Sequence, residues 1–66
     1  MHIKGGLNMK HTYELYHNRI KNGGGKIFLE KENNLIVWEN PTGTVIRVDY
    51  FENGIFKNRE VFKKVG

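Results

Sequence analysis

The feature that most constrains this chain is the spacing of its reversal signals. Asn33-Asn34, Asn40-Pro41-Thr42-Gly43 and Asn53-Gly54 punctuate the second half, and the stretches between them alternate apolar with polar residues. Asn at the first position, Pro at the second and Gly at the fourth match a type I turn, each for its own steric or hydrogen-bonding reason. Asn53-Gly54 tolerates the positive φ that both central residues of a type I′ hairpin turn require. Stretches of period two joined by short turns make an antiparallel meander. Its strands read as residues 26–31, 35–39, 44–52 and 55–65, the last broken near Asn58 by a bulge or second turn. Leu35 to Glu39 is apolar on both faces, as in a central strand covered on both sides.

Before the meander the period is different. Met9, Tyr13, Tyr16 and Ile20 fall at i, i+4, i+7 and i+11, one stripe of a helix. Thr12 is placed to cap it, Glu14 lies near the positive end of its dipole, and Asn22-Gly23-Gly24-Gly25 supplies the left-handed residue that closes a helix. A strand through Tyr13, Leu15 and His17 is the alternative. The expected fold is α+β, with one N-terminal helix packed on a four-stranded antiparallel meander; a small all-β barrel is the alternative. Ile27, Leu29, Leu35, Val37, Ile46, Val48, Ile55 and Val61 form the expected core, with Trp38 in it or beside it.

At 66 residues the chain makes one small domain, which buries only about 60% of the surface its unfolded form exposes. Eight Asn, eight Lys and six Ile with no Ala point to an A/T-rich bacterial genome, or a phage or mobile element living in one. In that setting Lys4-Gly5-Gly6-Leu7-Asn8-Met9 back-translates into a ribosome-binding sequence ahead of an ATG. Residues 1–8 are therefore expected to be a translated leader, with residues 9–66 as the domain. No stretch reaches the roughly 18 apolar residues of a membrane span. A cytoplasmic protein with no membrane partner is expected, and the lack of cysteine fits a reducing compartment.

Groups for catalysis are scarce. Ser and Cys are absent, which leaves few candidates for a nucleophile beside a histidine. His11 and His17 are six apart, not the four that would place two metal ligands on one helix face, and His2 falls in the leader. Glu30, Glu32, Glu39, Asp49 and Glu52 read as solvent-facing charges on short strands. The triple glycine lacks the strand-to-helix context and the Lys-Ser/Thr of a phosphate loop. No enzyme activity, cofactor or metal is expected.

Charge is more informative. Residues 26–56 carry a net −2, whereas residues 9–25 carry +2 and residues 57–66 carry +3. Lys57, Arg59, Lys63 and Lys64, near Phe56 and Phe62, are candidates for a basic strand that tracks a nucleic-acid backbone, or for a solubilising edge. If Ile46, Val48 and Tyr50 face the core, Arg47 and Phe51 point the other way, and Arg with an aromatic is a pair that anchors interfaces. The expected function is a small non-enzymatic binding protein, acting stoichiometrically on a host or defence protein as a phage or mobile-element inhibitor or regulator. Partner-binding residues are then Arg47, Phe51, Lys57, Arg59, Lys63 and Lys64; a basic nucleic-acid-binding regulator is the alternative, and a homodimer through the open face is a further expectation.

Overall fold

A computed structural model describes residues 11–65 of the chain. Helix α1, Tyr13–Asn22, is followed by strands β1, Lys26–Lys31, β2, Leu35–Glu39, β3, Val45–Glu52, and β4, Ile55–Lys63. The strands pair in the order β1-β2-β3-β4, all antiparallel, as an open sheet with the helix on one face and no barrel closure. The leader expected at residues 1–8, and Met9, lie outside the described residues.

The helix begins and ends for local reasons. Thr12 Oγ1 accepts the Leu15 amide at 3.3 Å, Glu14 occupies the first turn, and Arg19 and Lys21 occupy the last. The left-handed residue at the other end is Gly24, φ +88°, while Gly23 stays right-handed at φ −86°. The Gly25 amide then donates to the Ile20 carbonyl at 2.8 Å and the Gly24 amide to Lys21 at 3.3 Å, the paired bonds of a Schellman closure. Gly25 also has to be small: a Cβ there would lie 2.8 Å from Ile20 Cγ2, 3.0 Å from Trp38 Cε3 and 3.2 Å from the Glu39 carbonyl oxygen.

The turns follow their residues. Asn40 Oδ1 accepts the amides of Thr44 and Val45, at 2.9 and 3.0 Å, and the Gly43 amide donates to the Asn40 carbonyl at 2.9 Å. Asn53 and Gly54 both have positive φ, 53° and 80°, as a type I′ turn demands. The turns are also tied to one another, since the Tyr13 amide donates to the Gly54 carbonyl at 2.8 Å and the Gly54 amide to the Asn33 carbonyl at 3.1 Å. The start of the helix is thereby clamped to one end of the sheet.

Both edge strands carry a bulge. Phe28 of β1 and Lys57 of β4 are left unpaired where the register shifts, between Ile27 and Leu29 and opposite Tyr50/Phe51. Each extra residue reverses the alternation beyond it. Ile27 and Glu30 therefore share the helix-covered face, as do Phe56 and Arg59.

That face is not the one regular alternation selects. Tyr13, Ile20, Ile36 and Phe51 are the buried core, with Tyr16, Ile27, Trp38 and Phe56 packed against it. Tyr16 stacks on Phe56 with centroids 4.9 Å apart and meets Phe51 edge-on at 5.3 Å. Of the expected aliphatic set only Ile27 packs here, and Trp38 lies beside the core as expected. Leu29, Leu35, Val37, Ile46 and Val48 have the opposite parity and none is buried, while Ile55 and Val61 remain half exposed. The physical reason is the helix stripe: two tyrosines and an isoleucine find better partners in Phe51, Phe56 and Ile36 than in the aliphatic face, with edge-on and stacked aromatic pairs adding to area burial.

Tyr13 also bonds outward. Its hydroxyl donates to Glu30 Oε1 at 2.9 Å, and burial, with that bond, pushes the phenol up to about 12. Because the unfolded chain ionises its tyrosines near 10, the stabilisation from Tyr13 is complete below pH 10 and declines as pH rises toward 12. Unfolding midpoints measured across that window should fall with pH, and Tyr13→Phe should flatten part of the slope; Tyr50, raised by its bond to Glu60, supplies another part. Gly25→Ala should cost about 2 kcal/mol in urea unfolding, because the added methyl overpacks a site walled by backbone and ring.

Candidate functional site

Two surfaces emerge, one on each side of the sheet. On the uncovered side, register places Leu29 beside Val37, Val37 beside Val48, Leu35 beside Tyr50 and Ile46 beside Phe62. Leu29 and Phe62 are 50% and 53% exposed and the four central aliphatics remain partly exposed, so the face is continuous, apolar and open. Its rim is polar: Tyr50 donates to Glu60 at 2.8 Å at one end, and Lys64 pairs with Glu39 at the other.

On the helix side a polar cluster interrupts the aromatic core. Asp49, the chain's only aspartate, is 0% exposed. Arg59 lies directly opposite on β4 and grips it with both arms of its fork, Nε to Oδ1 at 2.6 Å and Nη2 to Oδ2 at 3.1 Å. Trp38 Nε1 donates to Oδ2 at 2.9 Å, so the buried carboxylate is held by three donors. The carboxylate in turn raises the Arg59 pKa. The Trp38 ring carries two guanidinium groups, Arg47 at 5.1 Å and Arg59 at 5.9 Å from its centroid. Beside it, between the C-terminal end of α1 and the turn at Pro41, lies a cleft of ≈ 390 Å³ walled by Tyr16, Arg19, Ile20, Trp38, Pro41 and Arg59.

At the opposite end of the helix, Tyr13, Glu14, His17, Glu30 and Glu32 border a second, acidic cleft, in which His17 Nε2 lies 2.8 Å from Glu30 Oε1. Among the described residues no group of three or more His, Cys, Asp or Glu side chains converges as a metal site would require. The shifts at Tyr13, Tyr50 and Arg59 all move the group away from neutral pH, so none of the three is poised for proton transfer. No helix among the described residues is long and apolar enough to cross a membrane.

The residues expected to bind a partner are scattered by this geometry. Arg47 and Arg59 meet at Trp38. Phe51 is 6% exposed beneath the helix, a correction to the open surface expected for it: the helix covers its face, and the face of Ile46, Val48 and Tyr50 is the uncovered one. Lys57 sits in the β4 bulge, 3.5 Å from Glu52, Lys64 is paired with Glu39, and Lys63 ends β4 opposite Val45. Three of the four basic residues of this segment are engaged by carboxylates on β2 and β3.

Residue type alone does not mark the open aliphatic face as a site, because its residues are those that ordinarily fill a core. The signal for it was the aromatic stripe of the helix, which matches Phe51 and Phe56. The Asp49–Arg59 pair was hidden by the bulge at Lys57, without which the Asn53-Gly54 turn would place Asn58 opposite Asp49.

Removing one member of this pair should be worse than removing both. Asp49→Ala leaves Arg59 without its buried partner and should cost about 3 kcal/mol, most of what so small a core supplies. Asp49→Leu with Arg59→Met should cost less in the same urea titration, followed by Trp38 emission. No protein-family model, curated protein or solved structure matches this chain, so its role is argued from its own geometry.

Proposed function

We infer that the protein is a non-enzymatic binding module that docks the uncovered face of its sheet on a partner protein, acting stoichiometrically as a regulator or inhibitor. The observation that carries this reading is the continuous aliphatic surface of Leu29, Leu35, Val37, Ile46, Val48 and Phe62, left open by a helix that covers the other side. Four strands about 4.8 Å apart and five to nine residues long make a face of about 500 Å², at the upper end of the apolar patches found on monomers. A stable interface needs about 800 Å² from each side, so the rim residues Lys31, Asn58 and Glu60 must join it. An apolar centre with a polar rim is the anatomy of such an interface.

A different protein suits the surface better than a second copy. The chain carries a net +4, which at long range repels a second copy and attracts an acidic partner. A host or defence protein met by a phage or mobile-element product fits the A/T-rich residue usage. Nucleic acid has less support, because three of the four cations of the C-terminal segment already face carboxylates.

Val48→Lys tests the reading, since it places a charge at the centre of the face without touching the helix side. The variant should keep the wild-type circular dichroism and melting temperature. Against a protein retained by the wild type from nuclease-treated lysate and then purified, it should bind at least tenfold more weakly, with wild type forming a one-to-one complex in sedimentation. Equal binding by both chains would sink the reading. So would a wild-type homodimer that Val48→Lys dissolves, or the loss of every partner on nuclease treatment.

A further inference from the structure

The three arginines of this chain, against eight lysines, gather around one tryptophan. Arg47 and Arg59 lie on the Trp38 ring, and Arg59 and Arg19 line the cleft that Trp38 walls. Against these guanidinium groups stands one carboxylate, Asp49, fully buried and already gripped by Arg59 and Trp38. Neither Arg19 nor Arg47 has a carboxylate partner among the described residues, and residues 1–10 contain no Asp or Glu. The local balance is thus two positive charges in excess.

Hydrogen-bond donors are in excess as well. A guanidinium has five N–H groups; Arg59 uses one on each oxygen of Asp49, leaving three. The Arg19, Ile20 and Lys21 carbonyls at the nearby helix end are occupied by the Gly23, Gly25 and Gly24 amides and are not open acceptors. The cleft, at ≈ 390 Å³, falls within the size range of small-molecule sites and is larger than an oxyanion alone would fill. Ile20, Pro41 and Tyr16 supply flat, apolar wall for the remainder of a ligand.

We propose that this cleft binds a small-molecule phosphomonoester with a ring body of mononucleotide size, its phosphoryl oxygens held by Arg19 and the free arm of Arg59 and its ring against Tyr16, Ile20 and Pro41. With Arg47 on the Trp38 ring beside the cleft, the surrounding excess of two charges matches a dianion, and the planar guanidinium fork matches phosphoryl geometry better than lysine does. Asp49 is the positioning residue: it fixes the plane of Arg59 without touching the ligand. The site lies on the helix side of the sheet and is independent of the docking face.

Trp38 is the chain's only tryptophan, so its emission reports on the cleft directly. Titration of the full chain with adenosine monophosphate should give a saturable change in Trp38 emission and shift the amide resonances of Gly23 and Gly25. Inorganic phosphate should compete more weakly, and adenosine should not bind. Arg19→Gln, on the exposed side of the helix, should weaken binding about tenfold with an unchanged melting temperature. Arg47→Gln should weaken it less, and Val48→Lys should leave it intact. The proposal is overturned by the absence of a saturable change up to about 10 mM nucleotide, beyond any affinity two guanidiniums would leave. It is also overturned if adenosine or benzoate binds as well as the nucleotide, or if Arg19→Gln has wild-type affinity.

Discussion

The burial of one carboxylate governs how this small domain is put together. Asp49 has no contact with water, and an isolated charge there would cost several kcal/mol. It is tolerated because Arg59 from the neighbouring strand and Trp38 from the strand on the other side aim three donors at its two oxygens. That demand reaches across β2, β3 and β4 at once. It fixes the register of β3 against β4, since only one alignment brings Arg59 opposite, and it sets the tilt of Trp38, whose ring then bounds both the helix end at Gly25 and the arginine cluster. A purely aliphatic centre would hold the layers together without choosing among registers so sharply.

Around this anchor the helix is a second, softer constraint. Its stripe is aromatic, and it settles where Phe51 and Phe56 offer edge-on and stacked contacts. The Schellman closure at Gly24 and the missing side chain at Gly25 let the chain turn back within three residues and enter β1 against the same sheet. The three glycines thus belong to the packing of the helix on Trp38, and they make no anion cradle.

The turns, the strand order, the helix and its cap were all readable from residue type, because each depends on neighbours within a few positions: Thr12, Asn40-Pro41, Asn53-Gly54. Which face the helix covers was not. Strict alternation assigned Ile27 with Leu29 and Ile55 with Val61, and in both edge strands a single unpaired residue breaks that arithmetic. In the central strands alternation holds, yet it offered two apolar faces on β2, and the choice between them was made by Tyr13 and Tyr16 through contacts 35 or more positions away. The candidate sites inherited the error. Arg47 and Arg59 stand out by residue type; Arg47 reaches Trp38 through the β2–β3 register, while Arg59 does so only because of the bulge at Lys57.

The same two bulges limit how this chain can be extended. An antiparallel sheet grows sideways when a flat edge offers an unbroken row of amides and carbonyls to an incoming strand. Here each border is interrupted partway along, at Phe28 on one side and at Lys57 on the other, so a neighbouring strand that began in register would lose it within a few residues. Lateral polymerisation is thereby discouraged even though the molecule leaves an oily plane exposed. What the bulges oppose is strand addition at the borders; the apolar plane between them is left as it is.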